Sequence, residues 1–244
     1  MQLFDFSLLV GSDPYSPADA TADALVAYLD AADVGGIVTS LAAVYYDYEA
    51  GNRETLEISK CDKRLLPGFV VDPRRPDSCR VDFRKAAKAY KALVLFPSVA
   101  QGAAQGWPLS HPAVPGIIEK ASEEGMPVVI HVARAGDVAA LARIALDVEV
   151  PVIAIGIGYG AVNEVITGAA TADNLLFGIS LFAGLDNLET LVSRMGAERF
   201  VYDSGEPRLA HGPALRMIQS AALEDDARKL IARGNARRIF GVPA

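Results

Sequence analysis

The chain has few of the residues that support disulfide or metal chemistry. Its 244 residues include two cysteines, three histidines and one tryptophan. Cys61 and Cys79 do not form a CxxC pair, so a disulfide framework is excluded and a cytoplasmic location is expected. With only three histidines, a metal site built on histidine ligands is limited from the outset.

Long apolar runs and an excess of basic residues are also missing. No run reaches the roughly 18–20 apolar residues that a membrane-spanning helix needs. The segment Met1–Asp5 has no basic residue and contains an early acid, which is unlike a signal peptide. Acidic residues outnumber basic ones by 30 to 23, for a formal net charge of −7. We therefore predict neither a membrane nor a nucleic-acid partner.

What the sequence does contain is an alternation of short apolar runs and helical patterns. Apolar residues make up 51 % of the chain, enough for a large core. The runs are almost wholly apolar, which is typical of parallel strands buried on both faces. We predict eight strands: Leu3–Val10, Gly36–Ser40, Pro67–Val71, Ala92–Phe96, Val128–Val132, Val152–Ile155, Leu175–Ile179 and Phe200–Tyr202.

Eight such units in this length predict one domain over residues 1–244, a (β/α)8 TIM-like barrel with a short C-terminal helical extension. A doubly wound sheet is the main alternative, but Val10–Pro14 does not supply its GxGxxG turn. Helices are expected between the strands, one of them capped by Ser110. The extension, Leu223–Phe240, is expected to form two short helices broken at Gly234-Asn235.

Two long irregular segments are predicted at strand ends, where a barrel carries its site. The first, Ala43–Gly51, contains Tyr45, Tyr46 and Tyr48, and the second is Ser98–Ser110. The tyrosines could form a lid over the barrel, a contact with another subunit or ordinary packing.

Several phrases, in chain order, resemble the amidohydrolase-related family of metal-dependent hydrolases, in its decarboxylase and lactonase branch. Phe4–Gly11 is similar to the family's D-x-H-x-H-x-G first strand, and Arg64–Arg74 is similar to its "RxxGFxxVDPR" third strand. Ile130-His131 matches its "IH", and Ala197–Pro207 resembles "GxERxxFGSDxP". Asn235–Phe240 resembles "NAxRLF" near the end of the chain. The resemblance covers nearly the whole chain and implies a TIM barrel.

The same resemblance implies that the metal site has degenerated. The family's metal ligands are two histidines on strand 1, one on strand 5, often one on strand 6, and an aspartate on strand 8. At the two strand-1 positions this chain has Ser7 and Leu9, and Gly205 stands at the aspartate position. Only His131 is retained. A catalytic zinc normally needs about three protein ligands, and His131 and Asp203 are only two, so no cofactor is expected. A residual divalent metal would need a site rebuilt from residues such as Asp203, Glu206 or His211.

Polar residues at the predicted strand ends define the candidate site. His131 and Asp203 form a candidate acid–base pair, because a carboxylate can orient an imidazole. Arg74 and Arg134 are candidate anchors for a substrate carboxylate, and Ser7 or Tyr159 could donate a hydrogen bond to an oxyanion. The further candidates are Ser40, Asp72, Ser98, Ser180 and Glu206.

Each candidate also has a structural interpretation. His131 could donate to a neighbouring polar group or carbonyl, Arg74 could pair with a nearby acid, and Asp203 and Glu206 could cap a helix that starts near Pro207.

Two functions are therefore predicted side by side. The first is an enzyme that acts on a small carboxylated substrate: a metal-independent hydrolase of a lactone, ester or amide or, as the alternative, a carbon–carbon lyase. The hydrolase is consistent with the lactonase branch of the family, where some members work without metal. The second is a non-catalytic descendant that binds a small carboxylated ligand or another subunit, including its own copy.

Overall fold

Eight parallel strands follow one another in chain order around a nearly closed barrel. The computed structural model describes residues 1–14, 20–97, 106–132, 134–182, 184, 186–207 and 209–242. The strands are β1 (Leu3–Val10), β2 (Val34–Ser40), β3 (Leu65–Val70), β4 (Ala92–Leu95), β5 (Val128–His131), β6 (Val152–Ile155), β7 (Leu175–Gly178) and β8 (Phe200–Val201). This architecture confirms the predicted (β/α)8 barrel.

The apolar strands are explained by packing on both sides of the barrel wall. In β5, Val129 packs with Val94 and Ile153 inside the barrel. Its neighbours Val128 and Ile130 pack outward, in the layer between strands and helices. Because successive side chains of a strand point to opposite faces, burial of both faces requires a continuous apolar run.

Helices connect the strands and cover the outside of the barrel. They are α1 (Ala22–Ala32), α2 (Leu41–Tyr45), α3 (Tyr48–Ser59), α4 (Phe83–Ala89), α5 (Val114–Glu123), α6 (Asp137–Ala145), α7 (Val162–Thr171), α8 (Asn187–Met195), α9 (His211–Ser220), α10 (Asp225–Lys229) and α11 (Asn235–Phe240). In the part of the chain that the structure describes, none of the helices is both long and apolar enough to cross a bilayer.

The predicted irregular segment Ala43–Gly51 is wrong, because most of it is helical. The Ser40 hydroxyl accepts from Ala42 N at the start of α2. The Asp47 carboxylate accepts from Glu49 N and Ala50 N and starts α3. Side-chain caps of this kind stabilise short helices by about 1 kcal/mol each.

Two other helix boundaries also differ from the prediction. Ser110 does not cap α5, which begins at Val114 after Ala113 without a side-chain cap. The C-terminal extension continues through the predicted break, because a π-helical turn at Leu230–Gly234 joins α10 to α11. Buried Asn235 begins α11 and donates to the carbonyls of Ala197 and Phe200, which fixes the helix against β8.

The first and last strands meet at a seam that closes the barrel. Phe6 N donates to the Tyr202 carbonyl at 3.1 Å, and Leu9 N donates to the Glu206 carbonyl at 2.9 Å. Between Asp5 and Leu8, the pairing of β1 with β2 has an irregular register. The seam places the polar residues of β1 beside those that follow β8.

Candidate active site

Asp203 lies two residues after the end of β8 and is almost completely buried at the mouth of the barrel. Its Oδ1 accepts from the backbone N of Ser180 at 2.8 Å, and its Oδ2 accepts from the Ser180 hydroxyl at 2.7 Å. Gly156 N, which follows β6, donates to Oδ2 at 3.2 Å. The carboxylate therefore ties together the ends of β8, β7 and β6.

The Asp203 carboxylate occupies a space that β7 leaves open at a glycine. A Cβ placed on Gly178 would lie 2.5 Å from Oδ1 of Asp203 and 2.6 Å from its Cγ. Such contacts are shorter than atoms tolerate, so any side chain at this position would displace the carboxylate. Gly178, Ser180 and Asp203 thus form one matched set.

Burial raises the pKa of Asp203, and the hydrogen bonds from Ser180 and Gly156 only partly offset the effect. The reason is that removal from water destabilises the charged form of a carboxyl group. A carboxyl with a raised pKa can exist in both protonation states nearer to neutral pH, which is the property required of a proton-transfer group.

His131, the retained histidine, is the last residue of β5. Its ring stacks on Phe96 with a centroid separation of 4.1 Å and an interplanar angle of 19°. Phe96 belongs to the apolar cluster inside the barrel, so the histidine ring lies at the mouth of that interior. In the sheet, His131 pairs with Ile155, the residue before Gly156, which places it one strand away from a donor to Asp203.

A second buried carboxylate, Asp5 in β1, was not among the predicted site residues. Its Oδ1 accepts from Ser7 N at 2.9 Å and from Ser204 N at 3.0 Å. Its Oδ2 accepts from the Ser204 hydroxyl and lies 3.4 Å from the Tyr28 hydroxyl. Burial and, to a smaller degree, the charge of Asp203 raise the pKa of Asp5 to about 7, against the lowering effect of Ser204 and Ser7.

Ser7, predicted as an oxyanion donor, is buried in β1, and its backbone N–H is engaged by Asp5. Tyr159, the other predicted donor, is 69 % exposed in a 3-10 turn before α7. Glu206 accepts from His211 N at 2.9 Å and contacts His211 Nδ1 at 3.1 Å, so it holds the start of α9. Ser98 lies outside the described residues.

The two candidate arginines have different surroundings. Arg74 is paired with Asp72 through its Nε at 2.9 Å and its Nη2 at 2.8 Å. This pair and Tyr45, Tyr46 and Arg75 line a surface cavity of about 270 Å³.

Arg134 follows β5 and forms no ion pair with any of the described residues. It lies on a second cavity of about 260 Å³, which Glu164 also lines. Its Nη2 would be 2.4 Å from a Cβ on Gly106, so the guanidinium rests against that glycine. Of the two arginines, Arg134 keeps its charge available to a ligand.

Among the described residues, no group of three or more histidine, cysteine, aspartate or glutamate side chains is placed to hold a metal ion. At the positions where the resemblance implies histidines on β1, Ser7 and Leu9 are both buried.

The sequence profile of the amidohydrolase family matches residues 9–242. The chain belongs to this family, as the resemblance in its motifs predicted. A comparison with curated proteins found no match.

Solved structures of this fold include enzymes of several activities. The 2,6-dihydroxybenzoate decarboxylase from Rhizobium superposes with a TM-score of 0.76 at 13 % identity, covering 99 % of both chains. A probable 2-pyrone-4,6-dicarboxylic acid hydrolase from Acinetobacter baumannii, with citric acid bound, has a TM-score of 0.72 at 14 % identity and covers 99 % of this chain and 100 % of its own.

A dihydroxybenzoic acid decarboxylase from a Polaromonas species contains manganese and the inhibitor 2-nitroresorcinol. It has a TM-score of 0.75 at 12 % identity and covers 98 % of this chain and 97 % of its own. At these identities the similarities establish the barrel fold.

Proposed function

We propose that this amidohydrolase-family protein is a metal-independent hydrolase of a small carboxylated lactone or ester, with His131 and Asp203 as its acid–base residues. The observation that carries the proposal is the buried Asp203 carboxyl, which is held by Ser180 and by Gly156. Gly156 follows β6, the strand that pairs with β5 and its last residue His131. An acid with a raised pKa and an imidazole at one barrel mouth are suited to moving protons.

The residues at the mouth do not fit a divalent cation. Leu9 offers only hydrocarbon, and Asp203 directs its oxygens to N–H and O–H donors of the protein. His131 and Asp203 alone fall short of the roughly three protein ligands of a catalytic zinc site. No step of the proposed reaction therefore involves a metal.

The proposed reaction adds one water to a lactone or ester bond. His131 accepts a proton from the attacking water, whose oxygen bonds to the carbonyl carbon. The carbon–oxygen bond to the leaving group then breaks, and the histidine returns the proton to the leaving oxygen. The Asp203 carboxyl, whose oxygens are bound by Ser180 and Gly156, stabilises the charged imidazole through space, without a hydrogen bond to it.

The proposed substrate carries a carboxylate because Arg134, shortly after the strand that ends in His131, forms no ion pair with any of the described residues. A guanidinium binds carboxylates with two parallel hydrogen bonds. The hydrolase among the structural neighbours is named for a dicarboxylic acid, which agrees with this substrate class.

The test is hydrolysis of a panel of carboxylated lactones and phenyl esters by protein dialysed against EDTA. We expect turnover without metal, a loss of about 100-fold or more in His131→Gln, and little change in the control Arg74→Gln. Turnover that requires added Mn²⁺ or Zn²⁺ would contradict the metal-independent mechanism. Turnover that persists in His131→Gln would remove the histidine from it.

A non-catalytic ligand-binding protein is the second candidate, and one observation favours it. The polar groups of the mouth satisfy one another: Asp203 is bound by Ser180, and Asp72 by Arg74. In this case, citrate or malonate would bind with an affinity that depends on Arg134, while no member of the panel would be hydrolysed.

A further inference from the structure

Two buried carboxyl groups meet at the end of β8. One is that of Asp203, and the other is that of Asp5 in β1, which accepts hydrogen bonds from the next residue, Ser204. Asp203 itself follows β8 and turns toward β7 and β6. The next residue, Ser204, gives both its N–H and its hydroxyl to Asp5 of β1. The segment after β8 is thus fixed on both sides: the Asp203 carboxylate binds it to β6 and β7, and the Asp5 carboxylate binds it to β1.

The described groups nearest the pair are two tyrosine hydroxyls, with an imidazole beyond one of them. Asp5 faces the Tyr28 hydroxyl of α1, and the Tyr202 hydroxyl is buried close by. His211 packs on the Tyr28 ring at 4.5 Å, but its Nδ1 contacts Glu206. Among the described residues, no basic side chain forms an ion pair with either buried aspartate.

We propose that Asp5 is a positioning residue for Asp203: it fixes the strand end through Ser204, and the two carboxyls are coupled so that neutralising one favours ionisation of the other. This inference rests on the proposed function in assigning Asp203 to the site. It adds Asp5, which was not among the predicted site residues, as a group that affects the protonation of Asp203.

The coupling follows from electrostatics at low dielectric. Two like charges that are buried close together without a cation raise the energy of the doubly ionised state, so the pair loses its protons in two separated steps. The raising effect of Asp203 on the pKa of Asp5 has this origin. The interaction is reciprocal, since each charge affects the other by the same free energy.

The test is a ¹³C NMR titration of the aspartate carboxyl carbons in protein labelled with [¹³C]aspartate. In Asp5→Asn, we expect the titration midpoint of Asp203 to fall by about one pH unit, and in Asp203→Asn that of Asp5 to fall by a similar amount. Asn at position 5 can keep the hydrogen bonds of the carboxyl, because the Ser204 and Tyr28 hydroxyls can accept from its amide group. Asn at position 203 loses the bond from Gly156 N, so Asp5→Asn is the variant that isolates the charge. The matched control is Asp137→Asn, which removes another buried carboxylate, located at the start of α6.

Unchanged midpoints in both Asn variants, or an equal shift in Asp137→Asn, would overturn the proposal. If Asp5→Asn does not fold, Ser204→Ala tests the same coupling. Loss of the Ser204 hydroxyl should raise the midpoint of Asp5 and lower that of Asp203, whereas a rise of both would contradict coupling. These titrations need no turnover, so failure to find a hydrolysed substrate would reject the proposed function and leave this inference standing.

Discussion

Two sectors of the barrel mouth each present an aspartate at a strand end, with opposite electrostatic outcomes. Asp203, after β8, is buried and bound by the neutral donors of Ser180 and Gly156, and its pKa is raised. Asp72, after β3, is partly exposed; burial raises its pKa, but the hydrogen bonds and charge of Arg74 outweigh this effect and the pKa is lowered. Neutral donors in a dry site leave a carboxyl able to hold a proton, whereas a guanidinium keeps it ionised.

The largest effect is expected for Asp203→Ala, which removes the carboxylate that accepts hydrogen bonds from Ser180 and Gly156. The buried N–H of Ser180 and the partly buried N–H of Gly156 would lose their acceptor, so we expect the free energy of unfolding to fall by about 4 kcal/mol. Urea unfolding followed by circular dichroism measures the change. A decrease as small as that of an exposed aspartate, such as Asp225→Ala, would show that Asp203 is no structural tie.

The next effect concerns the pH dependence of stability. The pKa of Asp5 is about 7 in the folded protein and 3.8 in its unperturbed state, so between these values the folded state binds more protons and the free energy of unfolding falls as pH rises. Asp5→Asn lacks this penalty. Its stability relative to the wild type should therefore increase by up to about 4 kcal/mol between pH 4 and pH 8.

Paired urea titrations of the two proteins at several pH values measure that difference. A difference that stays constant over this range would mean that Asp5 titrates normally.

A smaller effect is expected from Ser180→Ala, which removes one donor to Asp203 and leaves the backbone N–H in place. The free energy of unfolding should fall by about 1–2 kcal/mol, and the pKa of Asp203 should rise further. The matched control is Ser220→Ala, since the Ser220 hydroxyl donates to the carbonyl of Arg216 at an exposed position. Equal destabilisation by both changes would show that the hydrogen bond from the Ser180 hydroxyl to Asp203 stabilises the fold no more than an exposed one does.

The smallest effect belongs to the exposed sector. Arg74→Gln breaks the pair with Asp72, which is largely screened by solvent, so the unfolding free energy should change by about 0.5 kcal/mol or less. The pKa of Asp72 should rise toward its ordinary value, as measured by the same carboxyl titration. A loss of several kcal/mol would mean that the two sectors do not differ in the way described above.

The barrel could be predicted from the sequence because each strand is a separate apolar run, such as Val152–Ile155, and local composition reports burial on both faces. Helix α3 was missed because its buried face includes Gly51, Asn52 and Thr55, which do not form an apolar stripe. The fit between Asn52 and the backbone of Val70, which explains that face, appears only once β3 is in place.

The sequence predicts which strand ends carry polar residues, but it does not predict which of these residues contact one another. His131 and Asp203 became candidates because His131 matches the "IH" of the family motif and Asp203 lies two residues before the position of the strand-8 aspartate. Their partners could not be assigned, since Ser180 and Asp203 meet only when β7 and β8 pair. Asp5 was visible as an acid within an apolar strand, but its contact with Ser204 joins residues 199 positions apart.

That long separation has a consequence for how the protein is made. A ribosome delivers β1 first, and the two donors that Ser204 gives to Asp5 emerge only after seven further strands have been synthesised. Contacts of such high sequence separation form late, because a long loop must close before they contribute free energy. Until then the first strand keeps an acidic group that water can reach, which would discourage premature pairing of that edge with other chains. Asp5 would thus lose its contact with water only when the segment after β8 docks on β1 and closes the barrel.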